Sequence, residues 1–254
     1  MAVPPRLIVS QSDVVSLPNM MKKRLLSILV LFVVALSLVS CGKKEDPTPQ
    51  PRNPLPQLNM PANGDTIVTI TTTKGVIQAI LFDKAAPQTV NNFIKLADSG
   101  YYDGMIIHKV IKDFVVQMGD PTAEGNGGES FNGAGIPLEY NELLHNFTGA
   151  LGMAAGTDGL AYSQFYIVAG TAVSEEYVNA MKSAGYASNV IAAYQELGGL
   201  PSLDYEYTVF GQVYEGLDIL QEIAESKTDK WNRPKKDIIV SSVSVSSYSD
   251  TGNE

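Results

Sequence analysis

Apolar positions between residues 66 and 245 fall in short runs separated by polar or glycine-rich breaks. Residues 66–73 and 76–82 are rich in threonine and isoleucine, and Lys74-Gly75 between them predicts a hairpin. From Pro87 the period changes: Val90, Phe93, Ile94 and Ala97 share one helical face. Proline suits the first turn of that helix, and Gly100 suits a left-handed stop. Runs at 105–111 and 114–118 predict two strands around Lys112-Asp113, followed by glycine-rich loops over 125–135. Further strands are expected at 150–154, 164–168, 207–213 and 238–245, with a second core helix at 217–224. The last strand alternates apolar residues with serine, so one of its faces is expected to be wet. Many short strands, glycine-rich turns and two core helices predict a mainly β fold: a closed antiparallel barrel of eight strands capped by two helices.

Residues 174–198 interrupt this pattern with two helical stretches, 175–182 and 188–197. Ser188 is placed as an N-cap and Gly198 as a C-terminal stop, so the segment is expected to be a helical insertion. A role in choosing partners and an inert elaboration are equally open readings.

The amino end follows different rules. Met21-Lys22-Lys23-Arg24 is a compact positive patch, followed by an apolar run over 25–38. That run is shorter than the roughly 20 residues a membrane span needs, but it suits the apolar region of a secretory signal. Leu38-Val39-Ser40-Cys41 then resembles a bacterial lipobox, which implies cleavage before Cys41 and lipid attachment to it. A buried core helix is the competing reading, and the proline-rich stretch after Cys41 opposes it. Residues 1–20 precede a better start at Met20 or Met21 and are set aside as an over-extended start. Five prolines between Pro47 and Pro56 exclude a helix or central strand, so residues 41–64 are expected to be a semi-extended tether. Lys43-Lys44-Glu45-Asp46 resembles charged export signals of surface lipoproteins, although a solvated linker start is the plainer reading. The folded domain is expected over 65–247, with a tail at 248–254.

Composition narrows the chemistry. With 44% hydrophobic residues in 254, the chain can bury one good core. One cysteine excludes an internal disulfide framework, and two histidines without paired cysteines give no material for a structural zinc site. Neither a metal nor another cofactor is expected, and two histidines give a Ser-His-Asp or Cys-His hydrolase no support. The net charge of -9 argues against nucleic acid as a partner. Without residues 1–40 the balance is 14 positive to 26 negative charges, so an acyl anchor rather than charge would hold the protein to a membrane. Gly125, Gly127 and Gly128 lack the following Lys-Ser or Lys-Thr of a phosphate-cradling loop.

Four ordered segments carry a family resemblance: IHKVIKDFVVQMGD at 107–120, LGMAAGTDGLAYSQFYI at 151–167, Leu203-Asp204, and YTVFG at 207–211. Together they resemble the cyclophilin-type peptidyl-prolyl cis-trans isomerases over about residues 65–245. The resemblance implies rotation about the peptide bond before proline, whose barrier is about 18–20 kcal/mol. Such catalysis needs an apolar pocket for the ring, donors that hold the substrate backbone and a cation near the prolyl nitrogen. By resemblance, Lys109, Phe114 and Gln117 are the catalytic residues. Phe114 would floor the proline pocket, with Val115, Tyr166 and Leu203 around it; position alone reads these equally well as barrel core. Gln117 and Gln164 would bind substrate backbone, Ala154 would offer main-chain groups, and Tyr207 stands where many members have histidine. His108 and His145 are implied to be structural.

The resemblance has one main departure. Lys109 stands where the family carries arginine, and an ammonium is not a substitute for a planar five-donor fork. Reduced catalysis with retained binding is expected. Smaller departures are Val115 for a longer residue, Met118 for glycine, Ala155 for asparagine and Ser202 for the tryptophan of some members. The expected function is isomerisation of Xaa-Pro bonds in exported proteins, assisting their folding, by a monomer lipid-anchored at the cell envelope outside the cytoplasm. Its partners would be proline-containing polypeptides and, through the lipid, a membrane. The alternatives are a non-catalytic lipoprotein that binds proline peptides in the same groove, and a surface interaction lipoprotein keeping only the scaffold.

Overall fold

A computed structural model describes residues 53–250. The expected signal segment, Cys41 and the first part of the expected tether lie outside the described residues. Strands β1 (Thr66–Thr72) and β2 (Gly75–Leu81) form the expected hairpin, with Thr72 Oγ1 accepting from the amides of Lys74 and Gly75. Helix α1 (Pro87–Asp98) follows, with proline in its first turn. Its free N-terminal amides are taken by a distant carboxylate: Gln88 and Thr89 donate to Glu139 at 3.0 and 2.8 Å. The remaining elements are β3 (Lys109–Ile111), β4 (Val115–Met118), β5 (Ala150–Ala155), β6 (Ala161–Val168), α2 (Glu175–Ser183), α3 (Ser188–Leu197), β7 (Val209–Glu215), α4 (Leu217–Ala224) and β8 (Val240–Ser247).

All pairings are antiparallel, in the order β3-β4-β6-β5-β7-β2-β1-β8. The eight antiparallel strands curl into a half-barrel rather than a clearly closed barrel. Residues 105–108 do not continue β3 as a strand; there the two edges meet at the bridge between Ile106 and Ile239, with Ile107 N donating to Ile238 O at 2.9 Å and Val240 N to Met105 O at 2.8 Å. Further along β3 the loop before β8 takes the edge: the Val110 amide donates to the Asn232 carbonyl at 2.8 Å.

Alternation along the strands separates two faces. Val110, Val116, Met118, Leu151, Met153, Phe165 and Ile167 point into the main core, where α1 supplies Phe93 and α4 supplies Leu220 and Ile223. Phe93 sits at the centre, 5.2–5.3 Å by ring centroid from Tyr102, Phe165 and Phe210. Side chains one position away in the sequence point outward, and these build the site.

The insertion makes a smaller core of its own. Val178, Met181, Val190, Ile191 and Tyr194 pack with Phe147 and with Leu55. Ser174 caps α2 by accepting from the Tyr177 amide. Ser188, expected as the cap of α3, is instead its first residue, and Ala187 holds the cap position without a side-chain bond. Gly198 ends α3 at φ +75°, a conformation that costs a residue without Cβ little.

Residues 53–59, within the stretch expected to be tether, are packed onto the body. Proline density forbids an α-helix there, but a single 3₁₀ turn, Pro56–Leu58, needs no amide from Pro56. It delivers Leu55 into the insertion core at 1% exposure and buries Gln57 between the loop at His145 and strand β7. Gln57 accepts from the His145 amide at 2.7 Å and donates to the His145 carbonyl and to Gln212 Oε1. Leu55→Ala is expected to destabilise the protein by about 2–5 kcal/mol, read by denaturant titration. A tether residue would give a change within about 0.5 kcal/mol, and that result would contradict the packing role.

Candidate functional site

Cross-strand register aligns the outward residues. Lys109 pairs with Gln117, Gln117 with Tyr166, Tyr166 with Gly152, and Gly152 with Val209. Directly opposed residues in antiparallel strands share a face, so Lys109, Gln117 and Tyr166 form one row on the outside of the sheet. Val115, two residues from Gln117, and Gln164, two from Tyr166, share that face.

At one end of the row the face is apolar. Phe114, Val115, Tyr166, Leu203 and Tyr207 gather with Leu144, Val168 and Val209 in a cluster separate from the main core. Phe114 leaves a tight turn in which Asp113 adopts φ +58°, and it stays half-buried, so its ring is offered rather than enclosed. Tyr166 and Tyr207 meet edge to face at 5.8 Å. The Tyr166 ring lies over Gly152, where any Cβ would overlap it, so the missing side chain is what admits the ring.

At the other end the face is polar. Gln117 Nε2 donates to Gln164 Oε1 at 2.9 Å, and Gln164 Nε2 donates to the Gly127 carbonyl at 2.7 Å. Gln117, Gln164 and Ala154 line a cavity of about 490 Å³ together with the 125–128 and 155–158 backbone. The amide pair is therefore held from one side and keeps free donors and acceptors towards the cavity. All nine residues expected at the groove lie on this one face, with Lys109 joining by register rather than by packing. Lys109 has no ion-pair partner among the described residues and is half-buried at the sheet edge.

Several residues that organise the site were not singled out from the sequence. Asp120, 1% exposed, accepts from Thr122 N and Oγ1, Gly125 N and Gly127 N at 2.6–3.1 Å. Burial alone would raise its pKa, but the bonds from Gly127, Thr122 and Gly125 outweigh it and hold the carboxyl below the usual range. Its loop in turn positions the carbonyl that orients Gln164. An aspartate followed by Thr and a run of glycines is the local signal for such a turn.

Asp204 holds the opposite wall. It contacts His145 Nδ1 at 2.9 Å and accepts from Asn146 N, Asn146 Nδ2 and Tyr194 OH. Asn146 Oδ1 accepts from Tyr166 OH at 2.8 Å, so the network ends in the groove wall. Burial, with Asp204 close by, drives the Tyr194 hydroxyl far above its ordinary pKa; for Tyr166 burial leads, then Tyr207 and Asp204. Both remain protonated donors. His108 is buried under the Gly125 loop, and its pKa is lowered by burial against the opposing pull of Asp120, with Lys109 and Arg233 lowering it further. It is a neutral spacer at ordinary pH.

No helix among the described residues is long and apolar enough to cross a membrane, and none of their His, Cys, Asp and Glu side chains cluster in threes as a metal site.

Comparison with known proteins supports the fold. The family model described as cyclophilin type peptidyl-prolyl cis-trans isomerase/CLD matches residues 67–245. A protein of Staphylococcus saprophyticus, provisionally named a peptidyl-prolyl cis-trans isomerase, is 42% identical over 191 residues, covering 75% of this chain and 97% of its own. One from Staphylococcus aureus strain USA300, named alike, is 40% identical over the same length and coverage. Among solved structures, a cyclophilin type peptidyl-prolyl cis-trans isomerase of Cryptosporidium parvum is 31% identical with a TM-score of 0.58, covering 73% of this chain and 99% of that one. The same protein solved in the presence of the dipeptide Ala-Pro gives a TM-score of 0.57. The chain belongs to the cyclophilin-type peptidyl-prolyl cis-trans isomerase family.

The Asp120 loop yields a pH prediction. Because the folded-state pKa is lowered, its contribution is complete above the unfolded value and disappears as pH falls through the folded one. Asp120→Asn is expected to cost about 1–3 kcal/mol near neutral pH and to flatten the acid side of the stability profile, measured by denaturant midpoints. An acid side as steep as wild type would contradict this role.

Proposed function

We propose that this chain isomerises Xaa-Pro bonds of exported polypeptides, assisting their folding, while lipid on Cys41 holds it at the cell envelope. The observation that carries the reading is the row Lys109–Gln117–Tyr166 beside the half-open apolar cluster around Phe114. The ring of proline fits an apolar pocket, while Gln117 and Gln164 hold the flanking backbone by hydrogen bonds. With one side of the bond fixed and the other free to turn, binding energy is spent on the twisted state. Lys109 completes the site by donating towards the prolyl nitrogen as amide conjugation is lost, a charge-assisted bond stronger in the twisted state than in the planar one. The Ala-Pro dipeptide used with the Cryptosporidium relative supports a proline ligand for this groove.

Lysine sets the rate. An ammonium is a hydrated point charge on a flexible stem, so it holds one acceptor where a guanidinium fork holds two. That favours slower turnover with binding retained, and at its limit a groove that docks proline segments without turning them. Lys109→Arg is expected to raise kcat/KM on a short Xaa-Pro peptide by about 10- to 1,000-fold, or about 1.4 kcal/mol per decade, in a coupled isomerisation assay. An unchanged rate would sink the assignment of Lys109. For the anchor, Cys41→Ser is expected to move the protein from the membrane fraction to the soluble one and to abolish labelling by a fatty-acid probe; retention on the membrane would overturn it.

A further inference from the structure

Residues 53–250 carry 23 Asp and Glu against 11 Lys and Arg, yet the positive charges are not dispersed. Lys227, Lys230, Arg233, Lys235 and Lys236 lie in the loop between α4 and β8, and Lys109 and Lys112 lie on β3 and the turn after it. These two segments are neighbours, because the Val110 amide donates to the Asn232 carbonyl. Seven of the eleven cations therefore share one edge of an otherwise acidic molecule, and it is the edge that carries the catalytic row.

The loop also presents the chain's only tryptophan. Trp231 is 71% exposed, with Lys230 Nζ 4.1 Å above its ring. The turn is built to hold it outward. Asp229 Oδ1 accepts from the amides of Trp231 and Arg233 at 2.8 and 3.0 Å, and Asn232 takes φ +65°. The loop stays net positive over residues 227–237, with five cations against Asp229 and Asp237, and Asp237 lies 3.6 Å from Arg233. Lys227, Lys235 and Lys236 are exposed and have no ion-pair partner among the described residues. Exposed tryptophan amid unpaired cations is the composition of a docking surface rather than of a solvated loop.

We propose that this loop docks acidic residues flanking the proline of the substrate polypeptide. Continuity with the groove selects this occupant, since an extended chain leaving the Lys109 end advances about 3.3 Å per residue and meets the loop within a few residues. Charge complementarity agrees: an acidic segment is repelled by most of the molecule and drawn to this edge. Trp231 supplies a flat apolar contact, and the lysines supply the sign. The inference rests on the groove reading above and gives it a substrate class.

Trp231 is also the reporter, because no other indole contributes to emission. Proline peptides of equal length without tryptophan, with acidic, neutral or basic flanks, are titrated into the full chain. The acidic peptide is expected to shift Trp231 emission saturably and to bind about 10-fold more tightly than the neutral one at low salt, with the advantage screened at high salt. Lys227→Glu with Lys235→Glu is expected to erase the preference while leaving turnover of a short neutral Xaa-Pro peptide unchanged. Equal affinities whatever the flank, or a preference that survives the double change, would overturn the proposal. An emission response to phosphatidylglycerol vesicles but not to the acidic peptide would overturn it too, and assign the loop to lipid. Failure of wild type to turn over the short neutral peptide would instead count against the isomerase reading, since the emission titration judges docking independently.

Discussion

A carboxylate sealed from water has to find its hydrogen-bond partners inside the protein, and Asp204 finds them in two other segments. The loop at 145–146 contributes the His145 ring and two Asn146 donors, the insertion contributes Tyr194, and Asp204 itself carries the turn that presents Leu203 and leads to Tyr207. Removing one member from such a buried charged network typically costs about 3–5 kcal/mol, because the charge stays behind unpaired. The insertion is thus tied by hydrogen bonds to the wall of the groove, and Gln57 ties the amino-terminal segment to the same loop through the His145 backbone.

The groove depends on this because its apolar wall lies on the outer face of the sheet, where no second layer packs by default. Val115 and Val116 are both buried, one towards each face. An outer cluster of this kind needs loops to cover it on one side while leaving Phe114 accessible on the other. Asp204 organises the covering loops, and Asp120 organises the polar end. Two buried aspartates therefore bracket the Lys109–Gln117–Tyr166 row, and neither belongs to it.

Local order was largely legible in the sequence. Period-two and helical patterns located the eight strands and four helices to within a few residues, since each needs only a short window of side chains. What escaped depends on contacts far apart along the chain. How the β3 edge meets the loop before β8 could not be read, because its partner there is a carbonyl at Asn232, and carbonyls have no residue signature. The packing of Leu55 was hidden for a similar reason: its partners lie in an insertion more than a hundred residues away. Strand alternation also cannot say which of two apolar faces is the core and which the groove. At Phe114, Val115 and Tyr166 only the ordered family motifs decided the matter. Tyr194 had no signal, as a tyrosine on an amphipathic helix reads as ordinary packing.

Gly152 and Tyr166 occupy one shared volume: the ring fills the space that any side chain on the neighbouring strand would need. The two positions are consequently not free to vary in either order. A smaller residue at 166 leaves a gap that a side chain at 152 can later fill, whereas a side chain arriving first at 152 collides with the ring and displaces a groove wall. Change in this wall is directional, a ratchet set by geometry, and a route to a differently shaped outer cluster has to open at Tyr166.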